Sequence, residues 1–110
     1  MLVNYTKSGK VLVFHLSGLF EFHDEAKLMS AMREKLDDNL SVIGVDLMHV
    51  ENLNSAAMAA LLSMLKMADE KRIDFVIFAM NQKIQILLEK VFARNYVPLL
   101  TEEEFRSRYL

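Results

Sequence analysis

Short apolar runs of strand character alternate with helix-length amphipathic stretches along this chain, and that alternation predicts an α/β fold with a mixed, mostly parallel sheet. Two further observations support it. Leu2 to Tyr5 and Val11 to Ser17 are β-like runs separated by Lys7-Ser8-Gly9-Lys10, a turn whose glycine is free to take a positive φ, so the chain should open on an antiparallel hairpin. Phe75-Val76-Ile77-Phe78-Ala79 is a continuous apolar strand that should be deeply buried. The expected sheet has roughly four or five strands, with about four helices packed on it.

The elements follow in order. Gly18 breaks the second run. From Asp24 the positions Ala26, Leu28-Met29, Met32 and Leu36 mark an amphipathic helix, with Lys27, Arg33, Glu34 and Lys35 outward, Asp24 as its N-cap and Glu25 its first residue. Asp37-Asp38-Asn39 stops it. Val42 to Leu47 is apolar enough to be a central strand covered on both faces, and Gly44 within it predicts close helix packing. Ala56 to Lys71 is long and rich in Ala, Leu, Met and Lys, which predicts a helix, and Asp69-Glu70-Lys71-Arg72 is its solvated end. Asn81 caps a helix carrying Ile84, Leu87-Leu88 and Val91-Phe92, with Asn95 where a left-handed terminal residue is wanted. Val97 to Leu100 reads as an edge strand that tolerates Pro98. Thr101 and Glu104 form a capping box for a last helix through Tyr109.

Composition bounds the function. A chain of 110 residues, 53% hydrophobic, hides roughly 60–70% of its extended-chain surface in one core, so residues 1–110 are expected to form a single domain. Formal net charge is −2 with both signs mixed along the chain, which lacks the basic stripe that nucleic acid requires. The absence of cysteine removes disulfides, thiolate catalysis and thiolate metal ligation. With no leader and no apolar run of about 18 residues, the expectation is a cytoplasmic protein without membrane insertion. Eight methionines is a high count, and Met48, Met58, Met64 and Met67 fall in or near one helix, as core filling or as an adaptable binding surface.

The run Val45-Asp46-Leu47-Met48-His49-Val50-Glu51-Asn52-Leu53-Asn54-Ser55-Ala56-Ala57-Met58 drives a strand into a polar turn and out onto a helix whose mouth is Ser55. Up to four N–H groups lack intrahelical partners at such a mouth and the dipole there is positive, so a phosphate on this hydroxyl would meet donors and a favourable field. From the residues alone, Asn54 and Ser55 serve equally as plain N-caps, an effect of about 1 kcal/mol.

This run resembles the STAS domains of bacterial anti-sigma factor antagonists. Their pattern is Asp-Leu, then Val, then Asp-Ser-(Ser/Ala/Thr)-Gly-Leu and a Leu-rich helix. Here it stands as Asp46-Leu47, Val50, Asn54-Ser55-Ala56-Ala57-Met58 and Leu61-Leu62. The likeness extends to Val11 to Ser17 followed by Gly18-Leu19-Phe20-Glu21, and to the last strand and short helix, covering nearly the whole chain. It implies a STAS-like fold, phosphorylation of Ser55 by a partner kinase, and a docking surface including Phe22, His23, Asp46, Asn54, Ser55, Ala56, Ala57 and Met58. Asp46 and Asn54 would shape the turn, while Ala56, Ala57 and Met58 would form the apolar contact. The implied partners are an anti-sigma factor or serine protein kinase, together with a phosphatase. Two residues depart from the pattern: Asn54 stands for the usual acid, with Ser55 still expected to accept phosphate, and Ala57 stands for the usual glycine, which points to a partner particular to this chain.

Other readings stay open. The helix from Ala56 is apolar around most of its circumference, with Ala56, Ala57, Ala59 and Ala60 at its start, either because it is buried or because it offers a landing site. Phe20 and Phe22 either face a partner or fold back onto the core. His15, His23 and His49 are isolated, no glycine-rich loop cradles nucleotide, and Ser55 has no evident neighbour to act as base, so neither enzyme, cofactor nor metal site is expected. The alternative to a phosphorylated switch is a structural STAS subunit of a lipid-transport or stress-signalling assembly. The Leu2 to Tyr5 edge leaves a homodimer open, with the charged turn beside it arguing against one.

Overall fold

The computed structural model describes residues 1–92 and 94–110, and among these lie five strands and four helices. In chain order they are β1 (Leu2–Ser8), β2 (Val11–Ser17), α1 (Asp24–Lys35), β3 (Val42–His49), α2 (Ser55–Glu70), β4 (Asp74–Phe78), α3 (Gln82–Val91), β5 (Leu99–Leu100) and α4 (Glu102–Tyr109). The sheet order is β1-β2-β3-β4-β5, with β1 antiparallel to β2 and every other pair parallel. This is the mixed, mostly parallel sheet and opening hairpin expected from the sequence, and Gly9 takes its positive φ of 59° in the hairpin turn.

Side-chain alternation along β2, β3 and β4 divides the apolar residues between the two faces of the sheet. Leu12, Phe14 and Leu16 of β2, Ile43, Val45 and Leu47 of β3, and Phe75 and Ile77 of β4 face one side. There they pack with Leu28 and Met32 of α1, Leu61 and Met64 of α2, and Ile84 and Leu88 of α3. Val11, Val13, Val42, Val76 and Phe78 face the other side, where α4 covers them with Phe105. The central strand is thus covered on both faces, and Gly44 shows how closely. A Cβ built there would lie 2.7 Å from Cζ and 2.9 Å from Cε1 of Phe105, and 3.2 Å from Cε1 of Phe78. The rings of Phe78 and Phe105 stack at 3.9 Å with 3° between their planes, so the missing side chain of Gly44 is the space that one of them fills.

Several local expectations are corrected. Asp24 is the first residue of α1, not its cap; His23 holds the cap position without a side-chain hydrogen bond. Asn95 does not take the left-handed conformation expected of it; among the described residues after α3 that conformation falls to Tyr96, at φ 54°. Strand β1 runs three residues past Tyr5, while β5 keeps only Leu99 and Leu100 because Pro98 has no N–H to give; its carbonyl still accepts from Ile77 N–H at 3.1 Å. The capping box at Thr101 and Glu104 forms as expected, and the Thr101 N–H holds the Glu104 carboxyl below its usual range.

Replacing Gly44 by Ala should cost about 1–3 kcal/mol of stability through overpacking, read as a lower denaturant midpoint at unchanged m-value. Adding Phe105→Leu should recover part of that loss, a non-additivity that a double-mutant cycle measures.

Candidate functional site

Parallel strands gather their following loops at one end of the sheet, where α1, α2 and α3 begin. At such a mouth the first helical N–H groups need partners from outside the helix. Asn54 supplies one for α2. Its Oδ1 accepts from Ala57 N–H at 2.8 Å, and its Nδ2 donates to the Phe20 carbonyl at 2.8 Å, tying the loop after β2 to the helix mouth. Asn81 repeats the device for α3, accepting from Ile84 N–H at 2.8 Å and donating to the Glu51 carbonyl at 3.1 Å in the loop after β3. Lys83 joins that loop through Asn52.

Ser55 is the first residue of α2 and is exposed. Among the described residues its N–H and that of Ala56 take no hydrogen bond, while Ala57 N–H is held by Asn54 and Met58 N–H by the Asn54 carbonyl. Helical phase sorts the rest of α2. Ala57, Ala60, Leu61, Met64 and Ala68 are buried against the sheet, and Ser55, Ala59, Leu62 and Lys66 form an exposed line. Burial therefore accounts for one face of the apolar helix, including Ala57 and Ala60 at its start, while Ala59 and Leu62 stay exposed on the other. Ala56 and Met58 are half-buried at the margin.

The loop after β2 sorts its aromatics equally sharply. Phe20 is 3% exposed and belongs to the core, whereas Phe22 is 94% exposed. The loop is anchored on either side of Phe22. Asp24, 2% exposed, accepts from Glu21 N–H at 2.7 Å and from the Met1 ammonium at 3.3 Å, and its own N–H donates to the Glu21 carbonyl at 2.9 Å. The Glu21 N–H above all, then the ammonium and the His23 imidazole, hold the Asp24 carboxyl below its ordinary value against the opposing effect of burial. His23 is exposed, with its ring nitrogens 3.8 Å from Glu21 and 3.7 Å from Asp24. Beside this loop lies a groove of about 260 Å³ lined by Gly18, Leu19, His49, Glu51 and Asn52.

Two expected surface residues lie elsewhere. Ala57 is 2% exposed, so its methyl group packs inward and is not part of the surface. Asp46 points to the opposite face of the sheet from the buried Val45 and Leu47 beside it. There its Oδ2 lies 2.7 Å from His15 Nδ1, its Oδ1 accepts from Met48 N–H at 2.9 Å, and His15 Nε2 lies 3.0 Å from the Thr6 hydroxyl. Thr6, His15 and Asp46 thus form a polar chain across β1, β2 and β3 beside α4, whose Glu102, Phe105 and Arg106 line the same cavity, so His15 is not isolated. Strand parity, Val11-Val13-His15 on one face and Leu12-Phe14-Leu16 on the other, was the signal for its direction; its partners depend on register between strands. Among the described residues no group of three His, Cys, Asp or Glu side chains is placed to hold a metal, and no helix is long and apolar enough to cross a membrane.

The STAS domain family model matches residues 3–105. No curated protein matches by sequence. Among solved structures, the chain is similar to the protein TM1081, with a TM-score of 0.80 at 16% identity over 98% of this chain and 88% of that one. It is similar to a component of the stressosome, described as a signal integration and transduction hub, with a TM-score of 0.74 at 13% identity over 89% and 87%. It is also similar to the anti-sigma factor antagonist SpoIIAA of Bacillus. The TM-score is 0.70 at 13% identity for the phosphorylated form, over 99% of this chain and 100% of that one, and 0.71 at 14% for the unphosphorylated form, over 99% and 98%.

Because Asp24 is held below its ordinary value of 3.8, the stability it contributes is complete above that value and is lost as pH falls through the lower folded one. Asp24→Asn should therefore cost about 1–2 kcal/mol near neutrality and progressively less in acid, measured as the difference in denaturant midpoint from the unsubstituted protein at pH 7 and at about pH 3.

Proposed function

The chain belongs to the STAS domain family, and on that premise we propose that it is a cytoplasmic partner-switching protein of the anti-sigma factor antagonist type, which binds a regulatory protein and is released by phosphorylation of Ser55. The observation that carries the reading is the position of Ser55. It is exposed at the first turn of α2, beside two N–H groups without partners among the described residues, and it heads the line Ser55, Ala59, Leu62. The loop tied to the same helix mouth carries the exposed ring of Phe22. A partner covering Phe22, Ala59, Leu62 and the edge of Met58 would gain apolar burial around a small hydroxyl.

A phosphate would add about −1.5 to −2 charges at the centre of that contact. The helix mouth tolerates the charge well in the free protein, since donors and dipole face it. A docked partner would have to strip its water. The modification therefore favours the free state without needing to unfold anything. The kinase supplies the base, so Ser55 needs none of its own. An anti-sigma factor or serine protein kinase as the partner, with a phosphatase to reset Ser55, fits this chemistry. The competing reading, a constitutive subunit of a larger assembly in which Ser55 only begins a helix, draws on Asn54 supplying the side-chain N-cap without Ser55 and on the likeness to the stressosome component.

Pull-down from the native cell with the full chain as bait separates the two. The switch predicts a partner retained by Ser55→Ala and lost with Ser55→Glu; a partner indifferent to both substitutions favours the constitutive subunit. Phe22→Ala should weaken capture of that partner about tenfold or more while leaving the melting temperature unchanged, because the ring packs against almost nothing in the free protein.

A further inference from the structure

We propose that Asn54 is the positioning residue of this surface: its amide, accepting and donating at once, locks the Gly18 to His23 loop to the mouth of α2 so that Phe22 and Ser55 are presented as one rigid unit. The importance of that unit rests on the reading of Ser55 and Phe22 as parts of one docking surface; the mechanical coupling does not.

Geometry assigns the two ends of the amide. The oxygen must face Ala57 N–H and the nitrogen must face the Phe20 carbonyl, both at 2.8 Å, so a flipped amide would set donor against donor and acceptor against acceptor. The Phe20 ring is fixed in the core, which leaves its carbonyl a stationary acceptor. Four residues on, Asp24 closes the loop by holding Glu21 N–H. Phe22 therefore projects from a short arch with one foot on Asn54 and the other on Asp24. A large exposed ring ordinarily loses conformational entropy when it docks, and a backbone held at both feet reduces that cost.

Capping and strapping are separate jobs, and residue 54 can be chosen to do one without the other. Asp, the acid of the family pattern, and Ser both cap a helix about as well as Asn. Neither an ionised carboxylate nor the single short hydroxyl of Ser, engaged at Ala57, replaces the Nδ2 donor to Phe20. In the ionised Asn54→Asp variant a carboxylate oxygen would face a carbonyl oxygen, and the arch would be pushed off the helix. In acid the carboxyl regains an O–H and with it a donor. The presence of Asn rather than an acid next to Ser55 thus has a purpose independent of any kinase: it exchanges a charge for a strap.

Amide hydrogen exchange by ¹⁵N NMR on the full chain tests this, comparing Asn54→Asp, Asn54→Ser and Asn81→Asp with the unsubstituted protein, each as a ratio at the same pH. At pH 7, exchange at Glu21 and Asp24 should rise about five- to tenfold in both position-54 variants, as expected for losing one hydrogen bond, while Ala57 stays protected because the cap survives. At about pH 3 the ratio should fall back toward unity in Asn54→Asp only. Asn81→Asp, which loosens the neighbouring loop at Glu51, should leave Glu21 and Asp24 unchanged. Loop exchange equal to the unsubstituted protein in Asn54→Asp, or acceleration that acid does not reverse, would overturn the proposal. Either result is independent of whether Ser55 carries phosphate in the cell, so failure here and failure of the switch are distinguishable.

Discussion

The first N–H groups of a helix need partners outside it, and at the carboxyl end of this sheet an asparagine amide supplies one for α2 and one for α3. Asn54 and Asn81 each cap a helix with the oxygen and hold a preceding loop with the nitrogen. A parallel sheet brings those helix mouths and loops together by topology; the amides convert proximity into a defined surface. Among the described residues every buried side-chain nitrogen or oxygen has a hydrogen-bond partner.

The two faces of the sheet are built differently, and the difference separates stability from function. On the side of α1, α2 and α3 the core is continuous and mixes aliphatic side chains with Phe14, Phe20, Phe75 and Phe92, and α2 both seals it and carries Ser55 on its outer line. On the other side α4 seats Phe105 in the space left by Gly44, and beside it the Thr6, His15 and Asp46 chain crosses three strands. Of the apolar residues exposed toward the carboxyl end, Leu19, Phe22 and Leu62 lie on the loop and helix that Asn54 joins, and Met48 on the end of β3.

Most of the fold was legible because it rests on local signals. The strand Phe75 to Phe78, the 3.6-residue phase of α2 and the Thr101 capping box each declare themselves within a few residues. The inward direction of Ala57 was also available from phase, since Ala57, Leu61, Met64 and Ala68 share one stripe. What stayed hidden depends on residues distant in sequence. That Asp46 meets His15 follows from the parallel register of β2 on β3, that Asn54 reaches Phe20 follows from loop closure across the sheet end, and that Asp24 turns back to Glu21 rather than capping forward follows from its competing partners. Phe20 and Phe22 were indistinguishable by composition and differ because one loop can send only one of them into the core.

The central claim is that Ser55 is a reversible charge site. Intact-mass analysis and phosphopeptide mapping of the protein isolated from its native cell, with and without stress, test it most directly. The account predicts a single phosphate on Ser55 whose occupancy changes with condition. A protein that never carries phosphate there under any condition would contradict it and leave Ser55 as the opening residue of a helix.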